Sequence, residues 1–417
     1  MNSLISELQK RGLISNFSEG IESKLKNKST IFVGFDPTGD SLHIGSLMPL
    51  LLTKQCIKHG HEIIILLGSA TANIGDPSGK SKERNILDPL FVTKNTLALQ
   101  NQIKSFFSES ELTNIRFVNN LDWFSGISFI DFLSNIGRHF KVNQMLMKDS
   151  VKRRLNSEEG ISFTEFSYSL MQAFDFAHLS NIFDCGVQIG GSDQWGNIVS
   201  GIDLTKKLHN KEVHGLTFPL LTKSDGSKMG KTESGTIWLN PEKTSPFEFF
   251  QFWLNLTDVD AIRVLPWLSF DLSVEEINVL IENSKKESNR RLIQRHLAKL
   301  MTTMIHGEQV SNSIESASKA MFENEFGQTC IKDFLLIKDQ VPHEFINDCE
   351  LTIVDLLVKV GMLTSKSDAR RLIVQNAIKI NGQTEKEDRL IKIEDFIGKK
   401  ILIIAKGKKE RLMIIRT

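Results

Sequence analysis

Ile31-Phe-Val-Gly-Phe-Asp-Pro-Thr-Gly-Asp-Ser-Leu-His-Ile-Gly-Ser46 runs from an apolar segment through a cluster of turn residues into what reads as a helix start. A short apolar run without alternation marks a strand buried on both faces, as in a parallel sheet covered by helices. Three further runs repeat it, Ile63-Ile-Ile-Leu-Leu67, Ile115-Arg-Phe-Val118 and Val187-Gln-Ile189, with helical stretches between them. Residues 1–220 therefore read as an α/β domain on a Rossmann-like parallel sheet. Gly34, Gly68, Asn119-Asn120 and Gly190-Gly191 stand at or near the ends of these runs. That puts candidate binding residues at the carboxyl ends of the strands, where open sheets take their ligands.

At 417 residues the chain exceeds the roughly 250 to 300 residues that one hydrophobic core supports, so two or three domains are expected. After a loop and connector at 221–244 the pattern turns helical over 245–325, with Pro246-Phe-Glu-Phe-Phe-Gln-Phe-Trp253 at its head. Residues 326–348 are less regular, contain Pro342 and read as a linker. A compact helix, turn, helix and strand pattern fills 349–417, with 15 Lys and Arg against 9 Asp and Glu in a chain whose overall charge is +1. A basic tail on an acidic body points to an anionic partner. The four cysteines have no C-x-x-C spacing, which speaks against a disulfide framework and a zinc ribbon and for a reducing compartment. With no signal-peptide core and no apolar run of membrane-spanning length, a cytoplasmic location without a membrane partner is expected.

Asp40 and Ser41 are expected to cap a helix beginning at Leu42, whose free N–H groups and positive dipole end would face a ligand above the sheet. His43 then falls in its first turn, and Gly45 leaves room for a base or ribose against the helix. Almost two hundred residues on, Thr222-Lys-Ser-Asp-Gly-Ser-Lys-Met-Gly-Lys-Thr232 places Lys228 and Lys231 on a glycine-hinged loop. Two cations there can neutralise the charge growing on a departing pyrophosphate. Helix start and loop together could grip a nucleoside triphosphate from both sides, which suggests adenylate chemistry.

Tyr168, Gln172 and Asp175 stand at i, i+4 and i+7, one stripe of a helix otherwise made of Phe166, Leu170, Met171, Phe174 and Phe176. Polar groups on so apolar a helix need partners. A ligand with an ammonium at one end and a hydroxyl at the other supplies them. In Gly190-Gly-Ser-Asp-Gln-Trp195 two residues without a β carbon permit close approach of a nucleoside to the backbone. Two nucleotide folds are excluded. Gly75-Asp-Pro-Ser-Gly-Lys-Ser81 is one residue short of P-loop spacing, and no G-x-G-x-x-G follows the first strand.

The helix start and the lysine loop resemble the HIGH and KMSKS signatures of class I aminoacyl-tRNA synthetases. With Gly34-Phe-Asp-Pro-Thr38, Ile74-Gly-Asp-Pro-Ser-Gly-Lys80, Gly160-Ile-Ser-Phe-Thr-Glu-Phe-Ser-Tyr168 and Gln188-Ile-Gly-Gly-Ser-Asp-Gln-Trp-Gly-Asn197, essentially the whole chain resembles the bacterial-type tyrosyl-tRNA synthetases. The resemblance implies that L-tyrosine is activated with ATP and passed to tRNA(Tyr). It assigns the substrate ammonium to Tyr168, Gln172 and Asp76, the phenol to Asp175 and the position of Phe32, and the carboxylate to Gln194. It assigns ATP to Gly34, Asp36, His43, Gly45, Ser46, Gly190, Asp193 and Lys231, and transition-state charge to Thr38, His43, Lys228, Lys231 and Thr232. Also implied are ATP bound with Mg²⁺, no protein-bound metal, and a homodimer whose interface lies within about 120–160, Phe129 to Met147 being rich in apolar residues.

Leu363-Thr-Ser-Lys-Ser-Asp-Ala-Arg-Arg-Leu-Ile373 followed by Ala377-Ile-Lys-Ile-Asn-Gly382 resembles the small S4-like α+β RNA-binding domain. Ser365 or Ser367 can cap a helix presenting Arg370 and Arg371 to phosphates, and Lys399, Lys400, Lys406, Lys408 and Lys409 extend the basic surface. A tryptophanyl-type enzyme shares part of this pattern but is disfavoured by Asp175 and by the tail. An RNA-binding splicing cofactor with a vestigial site is disfavoured by the intact lysines and polar stripe. Two positions depart from the family: Ser46, where the first signature usually ends in His or Asn, and Phe32, where a tyrosine hydroxyl is common. Losing one neutral hydrogen bond at Phe32 is worth about 0.5 to 1.5 kcal/mol, which leaves tyrosine preferred through Asp175. The chain has 27 Phe and a single Tyr, Tyr168.

Overall fold

The first apolar runs pair side by side in the computed structural model, which describes residues 3–78, 87–157, 160–232, 235–287, 290–323, 326, 329–347, 350–407 and 410–417. One sheet holds β1 (Asn16–Phe17), β2 (Thr30–Phe35), β3 (Glu62–Leu67), β4 (Ile115–Asn119), β5 (Cys185–Gly191) and β6 (His214–Phe218) in the order β1-β6-β5-β2-β3-β4. All neighbours are parallel except β1, which runs antiparallel to β6. The Rossmann-like α/β architecture expected from the sequence is thus the one formed. β6 was not singled out from the sequence because His, Gly and Thr interrupt its apolar character. All five of its residues are nevertheless buried, His214 against the Glu19 carbonyl and Thr217 against Asn16. From β2 the chain builds outward through β3 and β4 on one side and through β5 and β6 on the other. The crevice at the carboxyl ends of β2 and β5 is therefore the switch point where such sheets bind ligands.

The polar stripe rides on helix Phe163–Phe183, which starts where Ser162 accepts the Glu165 N–H at 3.2 Å. Its first turn is pinned by Arg154 and Glu165, an ion pair at 2.9 Å with each side chain 1% exposed, while Arg154 also donates to the Gly160 carbonyl. Removing one partner of such a pair strands a buried charge, at a cost of about 3 to 5 kcal/mol. Arg154→Met should therefore lower the urea unfolding midpoint sharply. A wild-type midpoint would mean that the pair is not what seats this helix.

The unit that carries this sheet comprises Met1–Lys243 and Thr257–Ile293. Arg11 joins its two segments by donating to the carbonyls of Pro266, Ser269 and Leu272, so helices Asp258–Leu268 and Val274–Lys286 belong here, although the sequence assigned them to a separate helical domain over 245–325. Two short strands, β7 (Lys231–Thr232) and β8 (Gly235–Thr236), pair antiparallel within the same unit. A second unit comprises Thr244–Leu256 and Gln294–Thr417. Its terminal sheet contains β9 (His343–Ile346), β10 (Ile378–Ile380), β11 (Gln383–Thr384), β12 (Ile401–Lys406) and β13 (Glu410–Arg416) in the order β11-β10-β12-β13-β9. Helices Ile353–Lys359 and Lys366–Val374 close its core over Leu356, Leu357, Ile373, Ile404 and Ile414, the S4-like α+β layout. Residues 326–348, read as a linker, hold helix Ile331–Ile337 and strand β9, which pairs parallel with β13. Among the described residues no helix is long and apolar enough to cross a membrane.

Candidate active site

A cavity of about 240 Å³ lies between the carboxyl ends of β2 and β5 and helix Phe163–Phe183. Phe32, Gly34, Asp36, Gln188 and Gly190 line it from the sheet; Tyr168, Gln172 and Asp175 line it from the helix, with Thr38, Asp76 and Gln194 completing it. Tyr168 and Asp175 are buried, so the stripe faces this cavity and not bulk water. The Tyr168 hydroxyl donates to Asp36 Oδ2 at 2.8 Å, and Thr71 donates to Asp36 Oδ1 at 2.7 Å. Asn120 Nδ2 reaches both Thr71 Oγ1 at 3.1 Å and Asp175 Oδ2 at 3.2 Å, while Trp123 Nε1 donates to Asp175 Oδ1 at 2.9 Å. Gln194 Nε2 donates to Asp76 Oδ2 at 2.7 Å, and Asn197 Nδ2 donates to the carboxamide oxygens of Gln172 and Gln194. Gly68 is required beside this network, because a β carbon there would lie 2.0 Å from Asp36 Oδ1.

Burial pushes the Asp175 carboxyl well above the usual carboxylate range, partly offset by the bonds from Asn120 and Trp123. The Tyr168 hydroxyl is raised for the same reason, reinforced by Asp36 and Asp76. Asn120, Trp123, Thr71 and Asn197 were not assigned from the sequence. Asn120 follows a strand and Asn197 closes the Gln188–Asn197 segment, so both carry a visible signal; Thr71 and Trp123 carry none.

A larger cavity of about 590 Å³ adjoins the first, Thr38 and Phe218 lining both. His43, Gly45, Asp193, Lys228 and Lys231 line it, so the two signatures, far apart in sequence, meet in one space. Gly34, Asp36 and Gly190, assigned to ATP by the resemblance, line the smaller cavity, and Ser46 lines neither. Asp193 is raised above the usual carboxylate range by burial and by Asp76, with Lys228 opposing.

The helix does not start at Leu42. Residues 42–44 are extended against 237–239: Leu239 N–H donates to the Leu42 carbonyl at 2.8 Å and Ile44 N–H to the Ile237 carbonyl at 3.2 Å, while Gln102 Oε1 takes the Leu42 N–H at 2.7 Å. A 3₁₀ turn, Ile44–Ser46, leads into helix Leu47–Lys58, and His43 is the cap, its Nδ1 accepting the Gly45 N–H at 3.0 Å. Asp40 instead pairs with Lys243, whose ammonium lies 5.1 Å from the centre of the Trp238 ring. Because Nδ1 accepts, the neutral ring carries its proton on Nε2, a donor suited to a phosphate oxygen. What Gly45 accommodates is this ring: a β carbon there would lie 2.7 Å from His43 Cε1.

The lysine loop is tied at its base. Met229, 4% exposed, donates its N–H to the Leu221 carbonyl at 3.0 Å, Lys223 pairs with Ser227, and Ser224 N–H donates to Asp260 Oδ1 at 2.6 Å. Lys228 and Lys231 stand exposed at the cavity rim. Thr232 continues β7, and its side chain lies outside the described residues, as do Gly79 and Lys80 of the Ile74–Lys80 motif. Asp193 also borders a third cavity, of about 580 Å³, with Lys148. The Lys148 ammonium is sealed without a hydrogen-bond partner, and burial lowers its pKa to about 8, opposed by Asp76. With the folded value below the unfolded one of about 10.4, the unfolded chain binds more protons between the two, so stability rises with pH across that window. Lys148→Met should raise the melting temperature most below pH 8 and progressively less toward pH 10; a gain independent of pH would exclude a buried charge as its source.

In the second unit Ser365 caps helix Lys366–Val374 by accepting the Asp368 N–H at 3.1 Å, and Arg370 and Arg371 are exposed on it, as are Lys399 and Lys400 beyond it. Arg371 is engaged with Asp368 at 2.9 Å, and Lys406 is half-buried and bound to Glu410 at 2.6 Å. Lys408 and Lys409 lie outside the described residues. Among the described residues no group of three or more His, Cys, Asp or Glu is placed to hold a metal.

Residues 24–323 match the family model of class I tRNA synthetases for tryptophan and tyrosine, and residues 333–414 match that of the tyrosine–tRNA ligase SYY-like C-terminal domain. The tyrosine–tRNA ligase of Staphylococcus epidermidis is 43% identical over 418 residues, covering 99% of each chain. That of Roseiflexus castenholzii is 41% identical over 423 residues, again covering 99% of each. Among solved structures, a C-terminally truncated mitochondrial tyrosyl-tRNA synthetase of Aspergillus nidulans is similar with a TM-score of 0.66 and 29% identity, covering 75% of this chain and 92% of that one.

Proposed function

This chain belongs to the class I tRNA synthetases, in their tyrosine–tRNA ligase family, and from that premise we propose how its own residues divide the work. The enzyme activates L-tyrosine with ATP and transfers the tyrosyl group to tRNA. The tyrosine carboxylate attacks the α-phosphorus, the bond to the β-phosphate breaks and pyrophosphate leaves. A terminal ribose hydroxyl of the tRNA then attacks the tyrosyl carbonyl and AMP leaves. Neither step needs a side-chain nucleophile, so the protein contributes position and charge.

Asp175 takes the phenol; Tyr168, Gln172 and Asp76 hold the ammonium; Gln194 orients the carboxylate. Asp193 holds the ribose, and Thr38, His43, Lys228, Lys231 and Thr232 stabilise the phosphates of MgATP, the metal arriving with its substrate. The observation that carries this reading is the junction of the two cavities at Thr38 and Phe218. One ends in the sealed carboxylate of Asp175, the other is rimmed by His43, Lys228 and Lys231, and the reacting phosphorus belongs between them. ATP–pyrophosphate exchange run with each of the twenty amino acids tests it: tyrosine should support exchange, and exchange with tryptophan alone or with none would overturn it.

Arg370, Arg371, Lys399 and Lys400 are the proposed contacts to tRNA(Tyr) phosphates, which makes binding weaken steeply with salt. The enzyme acts as a cytoplasmic homodimer without a membrane partner. The dimer is supported by an apolar groove around Phe129, Leu133, Val142 and Phe163, where Phe129 is 65% and Phe163 69% exposed, because exposed large apolar side chains gathered in one place mark interaction sites.

A further inference from the structure

Thr38 stands where the two cavities join, and what aims it is a single peptide unit. β2 ends at Phe35 and the chain turns at once: the Thr38 N–H donates to the Asp36 carbonyl at 2.8 Å, closing a three-residue turn with Pro37 at its apex. The other polar end of that peptide unit, the Pro37 carbonyl, accepts from Asn95 Nδ2 at 3.1 Å. Because a peptide unit is planar, fixing its N–H and its C=O together fixes the Cα of Thr38 and the direction in which its side chain leaves.

Asn95 is built in as a fixed reference. It lies on helix Pro89–Phe106, which Asp88 caps by accepting the Leu90 N–H at 2.7 Å and which Val92, Leu99, Ile103 and Phe106 seat in the core. Two turns on, at i+7, Gln102 takes the Leu42 N–H at 2.7 Å, so one helix face grips the segment leading into His43 at both ends. Asn95 is fully buried, and its Oδ1 has no hydrogen-bond partner. An unpaired buried polar atom lowers stability, and an apolar side chain of the same size would avoid it. The carboxamide is therefore accounted for by what its nitrogen does: a carbonyl can only accept, and Nδ2 is the donor that Pro37 receives. Asn95 itself lines neither cavity. We propose that Asn95 is a positioning residue for adenylate formation: through the Pro37 carbonyl it holds the Thr38 hydroxyl on the phosphate oxygens at the junction of the cavities, without touching either substrate.

The inference rests on placing Thr38 at the phosphates, and its test separates the two. Full-length Asn95→Leu, close in size and without a donor, is compared with wild type in rapid-quench single-turnover formation of tyrosyl-adenylate. The rate at saturating tyrosine and MgATP should fall about tenfold, while the tyrosine concentration giving half the maximal rate changes little. The same substitution is then made in Thr38→Ala. With no hydroxyl left to aim, it should slow that variant hardly at all. A wild-type rate in Asn95→Leu, or a loss confined to tyrosine binding, overturns the proposal. So does an equal tenfold loss in the Thr38→Ala background, which is what a general loosening of the fold produces. If Asn95→Leu does not fold, Asn95→Ser, polar but too short to reach Pro37, carries the same reading. In each of these outcomes Thr38→Ala alone remains slow. A wild-type rate in Thr38→Ala instead overturns the placement of Thr38 itself, and this inference with it.

Discussion

Lys231→Ala is expected to slow formation of tyrosyl-adenylate by about 10²- to 10³-fold while tyrosine binding stays near its wild-type strength. The magnitude is that of removing one preorganised charge-stabilising group from a transition state. The placement follows from the loop: Gly230, at a φ of +82°, sits against Ile44, so close that a β carbon would lie 2.5 Å from its Cδ1. The Gly230 carbonyl accepts the Ile237 N–H at 2.9 Å, which brings Lys231 beside the strand that also pairs with residues 42–44. The lysine thus faces the larger cavity and takes no part in lining the smaller one. Charge accumulates on the pyrophosphate only as its bond to the α-phosphate breaks, so the lysine acts on the transition state more than on the ground state. A rapid-quench single-turnover measurement reads this directly, and an unchanged rate would remove Lys231 from the chemistry.

Asp175→Ala should have the second-largest effect, on selectivity. Sites built to bond a substrate hydroxyl reject the analogue lacking it by roughly 10⁴ to 10⁵, a range for which tyrosyl-tRNA synthetases are themselves the standard example. In this chain Phe32 has no hydrogen bond to give, so the proposed bond to Asp175 would carry an unusually large share. A hydrogen bond is worth about 0.5 to 1.5 kcal/mol, and stranding the buried donors of Asn120 and Trp123 costs about 1 to 3 kcal/mol more. The specificity constant kcat/KM for tyrosine should therefore fall by about 10²-fold or more, and that for phenylalanine far less. Steady-state exchange with both amino acids measures the ratio. Equal losses would place the phenol elsewhere.

What could be read from the sequence was what is local. The strands β2 to β5 announce themselves as apolar runs, and a polar stripe on an apolar helix announces a buried ligand before any coordinates. The misplaced helix start shows the limit. Asp40 and Ser41 are sound caps by local rules, but Gln102 and residues 237–239 pull Leu42 and Ile44 into an extended pairing, and neither partner is near in sequence. The support behind Asp175 fails to appear for the same reason: Asn120 and Trp123 reach it from 55 and 52 residues away. β9 was passed over as a linker because a four-residue edge strand, with two of its residues exposed, leaves no pattern to find.

Tyr168 is the only phenol this polypeptide contains, and it is buried against the smaller cavity with its hydroxyl on Asp36. Fluorotyrosine fed during biosynthesis therefore labels the protein at one atom position, at the end of the cavity given to the substrate ammonium. A single fluorine resonance would report each ligand entering that space, with no mutagenesis and no assignment to solve.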